Sequence, residues 1–498
     1  MKQLEDFEDA HLRIFDRPAP PDPSDVKTVY LIGICGTGMG SLAGLLSEAG
    51  YQVKGSDENV YPPMSDRLAE AGIEVLKGYD PAHLQPAPDL VVVGNACAPD
   101  HVEAAYAREH GLAQLSLPEA LAHFFLRGRR SLVVAGTHGK TSTTGLMVHV
   151  LREAGLDPGF LVGGVMSNGG VNYSVGTGPH FVVEGDEYDS AYYDKRPKFM
   201  HYQPTAAIIT SMEFDHADIY ADWDDYRSAF RRFAGIVDPE GLLALYGDDN
   251  EVRVLEFHAS APHQYYGIDD GDDHVTATNV RTGEGGMRFT LVVSGEEKTD
   301  IFLPMSGRHN LRNALGVAAI CLSEGLTPEQ IAQGMGTFKG MKRRQEPIGE
   351  VGGVLVIDDF AHHPTAVHET IGAIAERWPE RRVVAVFEPR SNSSRRKVFE
   401  QAYSEAFDRA ELAFVSAPPV RHNDTANDLM DSEQVIRNMR TRGVDAHLAP
   451  NAEALLPDLV DKLRPGDVVL IMSNGSFGGI HKKLLAELAE RTRQPVTA

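Results

Sequence analysis

S-L-V-V-A-G-T-H-G-K-T-S-T-T, Ser131 to Thr144, decides how the rest of the chain is read. Apolar and β-branched positions lead into Gly136, a glycine-rich turn follows, and Lys140-Thr141 opens a run of helical character. A strand that feeds a tight turn into a helix N-terminus points backbone N–H groups, and the positive end of the helix dipole, at one anion. The expected product is a nucleotide phosphate cradle made of Gly136, Thr137, His138, Gly139, Lys140, Thr141 and Ser142. Lys140 then reaches the β- and γ-phosphates, and Thr141 or Ser142 holds Mg2+. Only Thr137 and His138 separate Gly136 from Gly139, so this is a shorter variant of the usual motif. The alternative, a glycine turn with a solvated lysine, leaves the placement of Gly-Lys-Thr on a strand-to-helix joint to chance.

Around this stretch lies a chain of 498 residues, long enough for about three domains. Its 42% hydrophobic and 24% charged residues describe an ordinary soluble globular protein. A formal net charge of -24 argues against a nucleic-acid partner, whose phosphates it would repel, and suits magnesium and small substrates. Cys35, Cys97 and Cys321 are far apart and lack metal-ligand spacing, which gives no disulfide framework and suggests a reducing compartment. No apolar run is long enough to cross a membrane and the N-terminus lacks the apolar core of a signal peptide. A cytoplasmic protein, monomeric or weakly dimeric, with no membrane partner is expected. The first 25 residues, with P-A-P-P-D-P-S at 18 to 24, read as an acidic preamble ending in a stiff connector.

The fold class expected is α/β in three domains, two of them Rossmann-like and flanking a phosphate-loop domain. Residues 26–129 begin with T-V-Y-L-I-G-I, a buried strand, then C-G-T-G-M-G and an apolar-periodic helix, then a strand ending at Asp57. Gly38-Met39-Gly40-Ser41-Leu42-Ala43 fits G-x-G-x-x-A, and Asp57 follows Gly38 by 19 residues. A diphosphate on that helix N-terminus with Asp57 on a ribose satisfies this pattern, whether in a dinucleotide or in a nucleotide sugar.

Residues 130–344 form the central domain. Two of its strands deliver acidic groups to their C-terminal ends, where ligands collect in open α/β sheets: F-V-V-E-G-D-E-Y-D (181–189) and S-M-E-F-D-H-A-D (211–218). A metal site is the natural reading, with Glu184 a hard oxygen ligand for Mg2+ and His216 ligating or orienting a second ion. A β-rich polar segment spans 240–305 and carries no evident chemistry. In H-N-L-R-N (309–313), Asn310 and Asn313 lie one helical turn apart and suit a nucleotide base edge, unless Asn310 merely caps the helix. Arg343 and Arg344 follow at a hinge, placed to clamp phosphate. Residues 345–498 alternate again, and D-D-F-A-H-H-P-T (358–365), E-P-R-S-N (388–392) and S-N-G-S-F-G-G-I-H (473–481) stand at strand ends as candidate ligand loops.

In order, G-T-H-G-K-T, E-G-D-E, D-H-x-D-x-Y, H-N-x-x-N-A, R-R and D-D-F-A-H-H-P-T resemble the Mur ligase family, ATP-dependent amide-forming enzymes of bacterial cell-wall synthesis, over residues 28 to about 490. That resemblance implies a UDP-sugar domain, an ATPase and a domain for the incoming amine. G-I-C-G-T-G-M and D-x-x-A-H-H-P-T look like the branch acting on UDP-N-acetylmuramate. Within it, one kind of enzyme adds L-alanine for de novo synthesis and another adds the tripeptide L-alanyl-γ-D-glutamyl-meso-diaminopimelate in peptidoglycan recycling. Residues 56–65, 187–199 and 473–485 favour the tripeptide. A nicotinamide-dependent oxidoreductase would use the first glycine loop but leave Gly139-Lys140-Thr141 idle.

The resemblance implies the following roles. Lys140, Glu184, His216 and Arg343 carry catalysis, with Thr141, Glu184 and His216 on Mg2+. ATP is held by the glycine loop, Asn310, Asn313, Arg343, Asp359 and His362, with His363 in reserve. Gly36, Thr37, Gly38, Met39, Ser56, Asp57 and Asn95 take the UDP-sugar. The tripeptide meets Arg390, Ser391, Asn392 and Asn474 in the third domain, and Lys195 and Arg196, aided by Lys198, from a lengthened connection that is otherwise a solvated basic loop. Some family members carry a carbamoylated lysine 14 residues after the D-H histidine; Phe230 stands there, which excludes the carbamate.

Overall fold

A computed structural model describes residues 1, 3–216, 219–269, 271, 273–419 and 429–493, so Asp218 of the D-H-A-D stretch lies outside the described residues. By internal contact the chain divides into two units. The first is Met1–Ala277 with Leu291–Thr299 and Arg312–Phe338; the second is Thr278–Thr290, Asp300–Leu311 and Lys339–Ala498.

The first unit opens with β1 (Thr28–Ile32), β2 (Gln52–Asp57), β3 (Glu74–Lys77), β4 (Leu90–Val93) and β5 (Gln114–Ser116), in the order β3-β2-β1-β4-β5. Every pairing is parallel, and the central strands are apolar on both faces because helices cover each side. The strand order reverses between β1 and β4, so the loops that leave them border the crevice where such sheets bind ligands. Beneath the loops, the fully buried Glu103 accepts hydrogen bonds from Tyr30 Oη and Asp80 N, both at 3.1 Å, and from Ser56 Oγ, while His83 Nδ1 lies 2.9 Å away. Truncating it to alanine strands these partners in a dry interior. Glu103→Ala is expected to cost about 3 kcal/mol in calorimetric or urea unfolding, with Glu103→Gln losing less because it keeps shape and an acceptor.

A second sheet is built from β6 (Arg130–Ala135), β7 (Gly159–Leu161), β8 (Tyr173–Ser174) and β9 (His180–Gly185), and from β12 (Ala206–Ile209), β13 (Leu242–Tyr246), β14 (His263–Tyr266), β15 (Val275–Gly283), β16 (Gly286–Val293) and β17 (Glu296–Leu303). The remaining strands, β10 (Asp189–Ala191) and β11 (Asp194–Pro197), pair with each other as an antiparallel hairpin. The sheet order is β17-β16-β15-β14-β13-β12-β6-β9-β7-β8, with β6 parallel to both β9 and β12. The register sets Val134 opposite Glu184 and Ala135 opposite both Gly185 and Ile209. Both acidic strands therefore flank the glycine-loop strand, and their C-terminal ends reach its turn.

The first 25 residues are more than a preamble. Phe15 stacks on Tyr192 and meets Tyr193 edge-on, with ring centroids 6.2 and 5.9 Å away, and Arg17 forms a bidentate pair with Glu119 at 3.0 and 3.1 Å. Arg13 donates to Tyr192 O and Arg108 to Leu12 O. The arm is anchored to the first sheet's last helix and to the β10–β11 hairpin by aromatic and charged residues that an overall acidic, proline-rich composition hides.

The second unit holds a six-stranded sheet of β18 (Glu346–Val351), β19 (Val354–Asp359), β20 (Arg382–Phe387), β21 (Leu412–Ser416), β22 (Asp445–Ala449) and β23 (Asp467–Met472), in the order β18-β19-β23-β20-β21-β22. Only β18 runs antiparallel. Two apolar layers fill its faces, one around Ile357, Ile371 and Phe407 and the other around Val356, Leu455 and Ile480. Among the described residues, no helix is long and apolar enough to cross a membrane.

Candidate functional site

The turn between β6 and the helix Lys140–Glu153 is shaped by two glycines. Gly136 has φ +129°, and a Cβ there would lie 2.2 Å from Thr210 Oγ1. Gly139, at φ +81°, precedes the helix, and its Cβ would meet Asn313 Oδ1 at 2.6 Å. Asn313 thus stands against the glycine loop.

Thr137 and His138 pin the loop. Thr137 N donates to Ser211 O at 3.0 Å, and its hydroxyl lies between Glu213 O, Glu213 N and Tyr226 Oη at 2.9 to 3.0 Å. His138 N donates to Ser211 Oγ at 3.0 Å, with Nε2 3.1 Å from a Glu213 carboxylate oxygen. Their side chains and their backbone N–H groups alike hold the loop to the segment after β12, so what the turn leaves for a phosphate is the helix N-terminus that starts at Lys140. Ser142 is buried in the helix, and it is Thr141 whose Oγ1 faces a carboxylate, 3.1 Å from Glu184.

Lys140 Nζ lies 2.6 Å from Gly136 O and 2.9 and 3.1 Å from the two oxygens of Glu187, whose side chain is 1% exposed. His216 Nε2 lies 3.0 Å from Glu187 Oε1, and Tyr220 Oη donates to Glu187 O at 2.7 Å. The sequence reading chose Glu184 from E-G-D-E and passed over Glu187. Only the fold brings Lys140 and His216 to it. Phe230 is fully buried among Phe199 and Tyr226.

The two carboxylates are tuned in opposite directions. Burial, reinforced by Asp186, pushes Glu184 up to about 7 against the pull of Gly163 N–H, Lys140 and Thr141. Burial would also raise Glu187, but Lys140 and His216 outweigh it and hold this carboxyl below the usual range. Lys140 mirrors it: burial would lower the ammonium, and Glu187 with Asp186 raises it instead. His216 is likewise raised by Glu187 despite burial. Two carboxyls three residues apart are thus shifted in opposite directions by their surroundings.

Several residues expected at the UDP-sugar have other work. Met39 is buried core at 6% exposure. Ser56 is fully buried on Glu103, and Asp57 accepts from Cys35 N and Asn59 N, each at 2.9 Å, so it braces the glycine turn. Gly36 and Thr37 at the helix start and Asn95 after β4 are exposed, and Gly38 is half-buried, leaving all four available to a ligand in that crevice.

The same correction applies in the second unit. Asp359 is buried and accepts from Gln345 N and Ala361 N, both at 2.7 Å, which makes it a loop brace, and burial raises its pKa. Asn310 donates to Ser306 O at 2.8 Å, consistent with a local structural role, and His362 Nδ1 lies 3.1 Å from Phe360 O. Arg343 has φ +59°. Its Nε lies 3.1 Å from Asp358, and Nη2 donates to Ser473 O and Gly475 O at 2.7 Å. Arg390 lies over Gly475, where a Cβ would come within 2.2 Å of its Nη1. The strand-end loops of β19, β20 and β23 therefore gather Arg343, Arg390 and Asn474, whose buried Oδ1 has no hydrogen-bond partner, with exposed Asn392 beside them. Ser391 Oγ accepts from Ser394 N at 2.9 Å. Lys195 and Arg196 belong to the first unit and are paired with Asp189 and Asp194 within their own hairpin. They line a cavity of about 440 Å³ beside Arg17 and Arg232.

Three family models match the chain in succession. The Mur ligase family catalytic domain matches residues 28–129, the Mur ligase middle domain 134–321, and the Mur ligase glutamate ligase domain 343–475. The UDP-N-acetylmuramate–L-alanyl-γ-D-glutamyl-meso-2,6-diaminoheptandioate ligase of Haemophilus influenzae is 38% identical over 465 residues, 93% of this chain and 99% of that one. A UDP-N-acetylmuramate–L-alanine ligase of Desulforapulum autotrophicum is 33% identical over 93% of this chain and 98% of its own. Among solved structures, a murein peptide ligase from Psychrobacter arcticus superposes with a TM-score of 0.70 at 33% identity, covering 93% of this chain and 99% of its own.

Proposed function

This chain belongs to the Mur ligase family, and from that premise we propose that it joins L-alanyl-γ-D-glutamyl-meso-diaminopimelate to UDP-N-acetylmuramate at the expense of ATP, in the cytoplasmic recycling of peptidoglycan. The observation that carries the substrate choice is the near full-length similarity to a tripeptide-adding relative, at 38% identity against 33% for an L-alanine-adding one.

An amine does not displace oxygen from a carboxylate, so the muramate carboxylate first takes the γ-phosphoryl group from ATP, releasing ADP, and the amine then attacks the acyl phosphate, forming the amide and expelling inorganic phosphate and a proton. Lys140 and the backbone N–H groups of the helix N-terminus bind the β- and γ-phosphates. Thr141 and Glu184 would hold one Mg2+, and His216, whose Nε2 lies 3.0 Å from Glu187, would serve a second ion by orienting that carboxylate. The hydroxyl and carboxylate 3.1 Å apart are the hard oxygen donors that Mg2+ takes, and when bound it neutralises phosphate charge. Asn313 supports the nucleotide beside Gly139. Arg343 and Arg390 carry positive charge suited to anionic groups of the substrates, and the unpartnered Asn474 Oδ1 is an acceptor suited to a peptide N–H.

Purified protein given ATP, UDP-N-acetylmuramate and an equimolar mixture of tripeptide and L-alanine is expected to yield the tripeptide adduct in excess, read by mass spectrometry. Dominance of the L-alanine adduct would transfer the chain to the other activity.

A further inference from the structure

Every donor of the Lys140 ammonium is already committed within the protein. Its Nζ faces Gly136 O at 2.6 Å and Thr137 O at 3.4 Å on the loop, and the Glu187 oxygens at 2.9 and 3.1 Å. Glu187 is equally committed: it holds His216 at 3.0 Å, and Tyr220 fixes its backbone. The neighbouring Glu184 stands apart from this arrangement, accepting from Thr141 Oγ1 and, at 2.6 Å, from Gly163 N. One carboxylate thus serves the loop's hydroxyl while the other serves its cation.

A phosphate that uses Lys140 must displace one of these partners. Gly136 O cannot move without remaking a turn in which Gly136 holds a φ of +129° against Thr210. The Glu187 side chain can release by rotation and still keep His216. We propose that Glu187 is a positioning residue that acts as an exchangeable internal counter-ion: it holds Lys140 and His216 in place in the nucleotide-free protein and yields Lys140 to the incoming terminal phosphate. The idea rests on the ATP-dependent reading above and goes beyond it, since it makes the site self-blocking through a carboxylate that competes with the triphosphate for one ammonium.

A competitor of this kind raises the apparent dissociation constant by the inverse of the fraction of time Lys140 is released. The test is calorimetric titration of full-length protein with ATP in EDTA, without sugar or amine. Relative to wild type, Glu187→Gln is expected to bind about tenfold tighter, and Glu187→Asp, which keeps the charge but is one methylene too short to hold both partners, about threefold tighter. Tightening in Glu187→Gln alone would show plain charge repulsion and overturn the exchange, and unchanged or weaker binding in both would reduce Glu187 to a structural ion pair. If Glu187→Gln does not fold, the sign of the change in Glu187→Asp decides. No acceptor is present, so a wrong assignment of tripeptide or L-alanine leaves this result untouched.

Discussion

Lys140→Ala is expected to lower phosphate release, with both co-substrates present, by about a thousandfold or more. Bringing a muramate carboxylate to within 4 Å of a terminal phosphate costs about 4 kcal/mol at an effective dielectric near 20, and about 1.4 kcal/mol is a factor of ten in rate. On the proposed ATP-dependent reaction Lys140 is the cation that would cancel that repulsion, since its Nζ lies 2.6 Å from Gly136 O within the glycine loop. The substitution also strips Glu187 of its principal counter-ion in a buried site, so a loss of stability of a few kcal/mol accompanies it. Circular dichroism at the assay temperature separates the two effects. A folded variant that keeps a tenth or more of the wild-type rate removes Lys140 from phosphate binding, whereas a folded and inactive one locates the defect at the transferred group.

Much of this site is legible in the sequence because its parts are local. The strand-turn-helix of 131–144 is a single continuous signal, and β6, β9, β12, β19, β20 and β23 announce themselves as apolar runs with polar groups at their ends. Short elements leave no such trace: Gln114–Ser116 is too brief for a periodicity, and β18 is interrupted by Pro347 and Gly349. What the sequence hides most is the fate of a carboxylate. Glu184, Asp186 and Glu187 are indistinguishable along the chain, and only the placement of β9 beside β6, with the post-β12 segment on its other side, gives Glu187 to Lys140 and His216. Asp57 and Asp359 look like ligand-binding acids because each ends a strand. Each is drawn inward by one N–H of its own turn, Asn59 or Ala361, and one from a neighbouring loop, Cys35 or Gln345, which in a buried setting need acceptors. Ser56 is lost to Glu103 in the same way. The division of labour inside each cluster depends on tertiary partners far away in sequence.

Gly136→Ala is expected to reduce phosphate release by roughly a hundredfold while leaving the chain folded. Two independent costs act at this residue. A φ of +129° lies where an L side chain is strained by about 1–3 kcal/mol, and a Cβ would come within 2.2 Å of Thr210 Oγ1 and 2.9 Å of both Thr210 N and Ser211 N. Thr210 Oγ1 cannot simply rotate away, because it donates to His138 O and Ala135 O and so ties the turn to β12. The turn must shift instead, and a displacement of about 1 Å at a site that orients reacting groups is enough for a hundredfold loss. If the hydroxyl were the sole obstacle, Thr210→Ala in the same chain would restore activity. The backbone nitrogens and the strained φ remain, so the double variant is expected to stay within about threefold of Gly136→Ala. Recovery to wild-type rates in the double variant would instead assign the glycine to side-chain clearance and leave the backbone of the phosphate loop more adaptable than its geometry indicates.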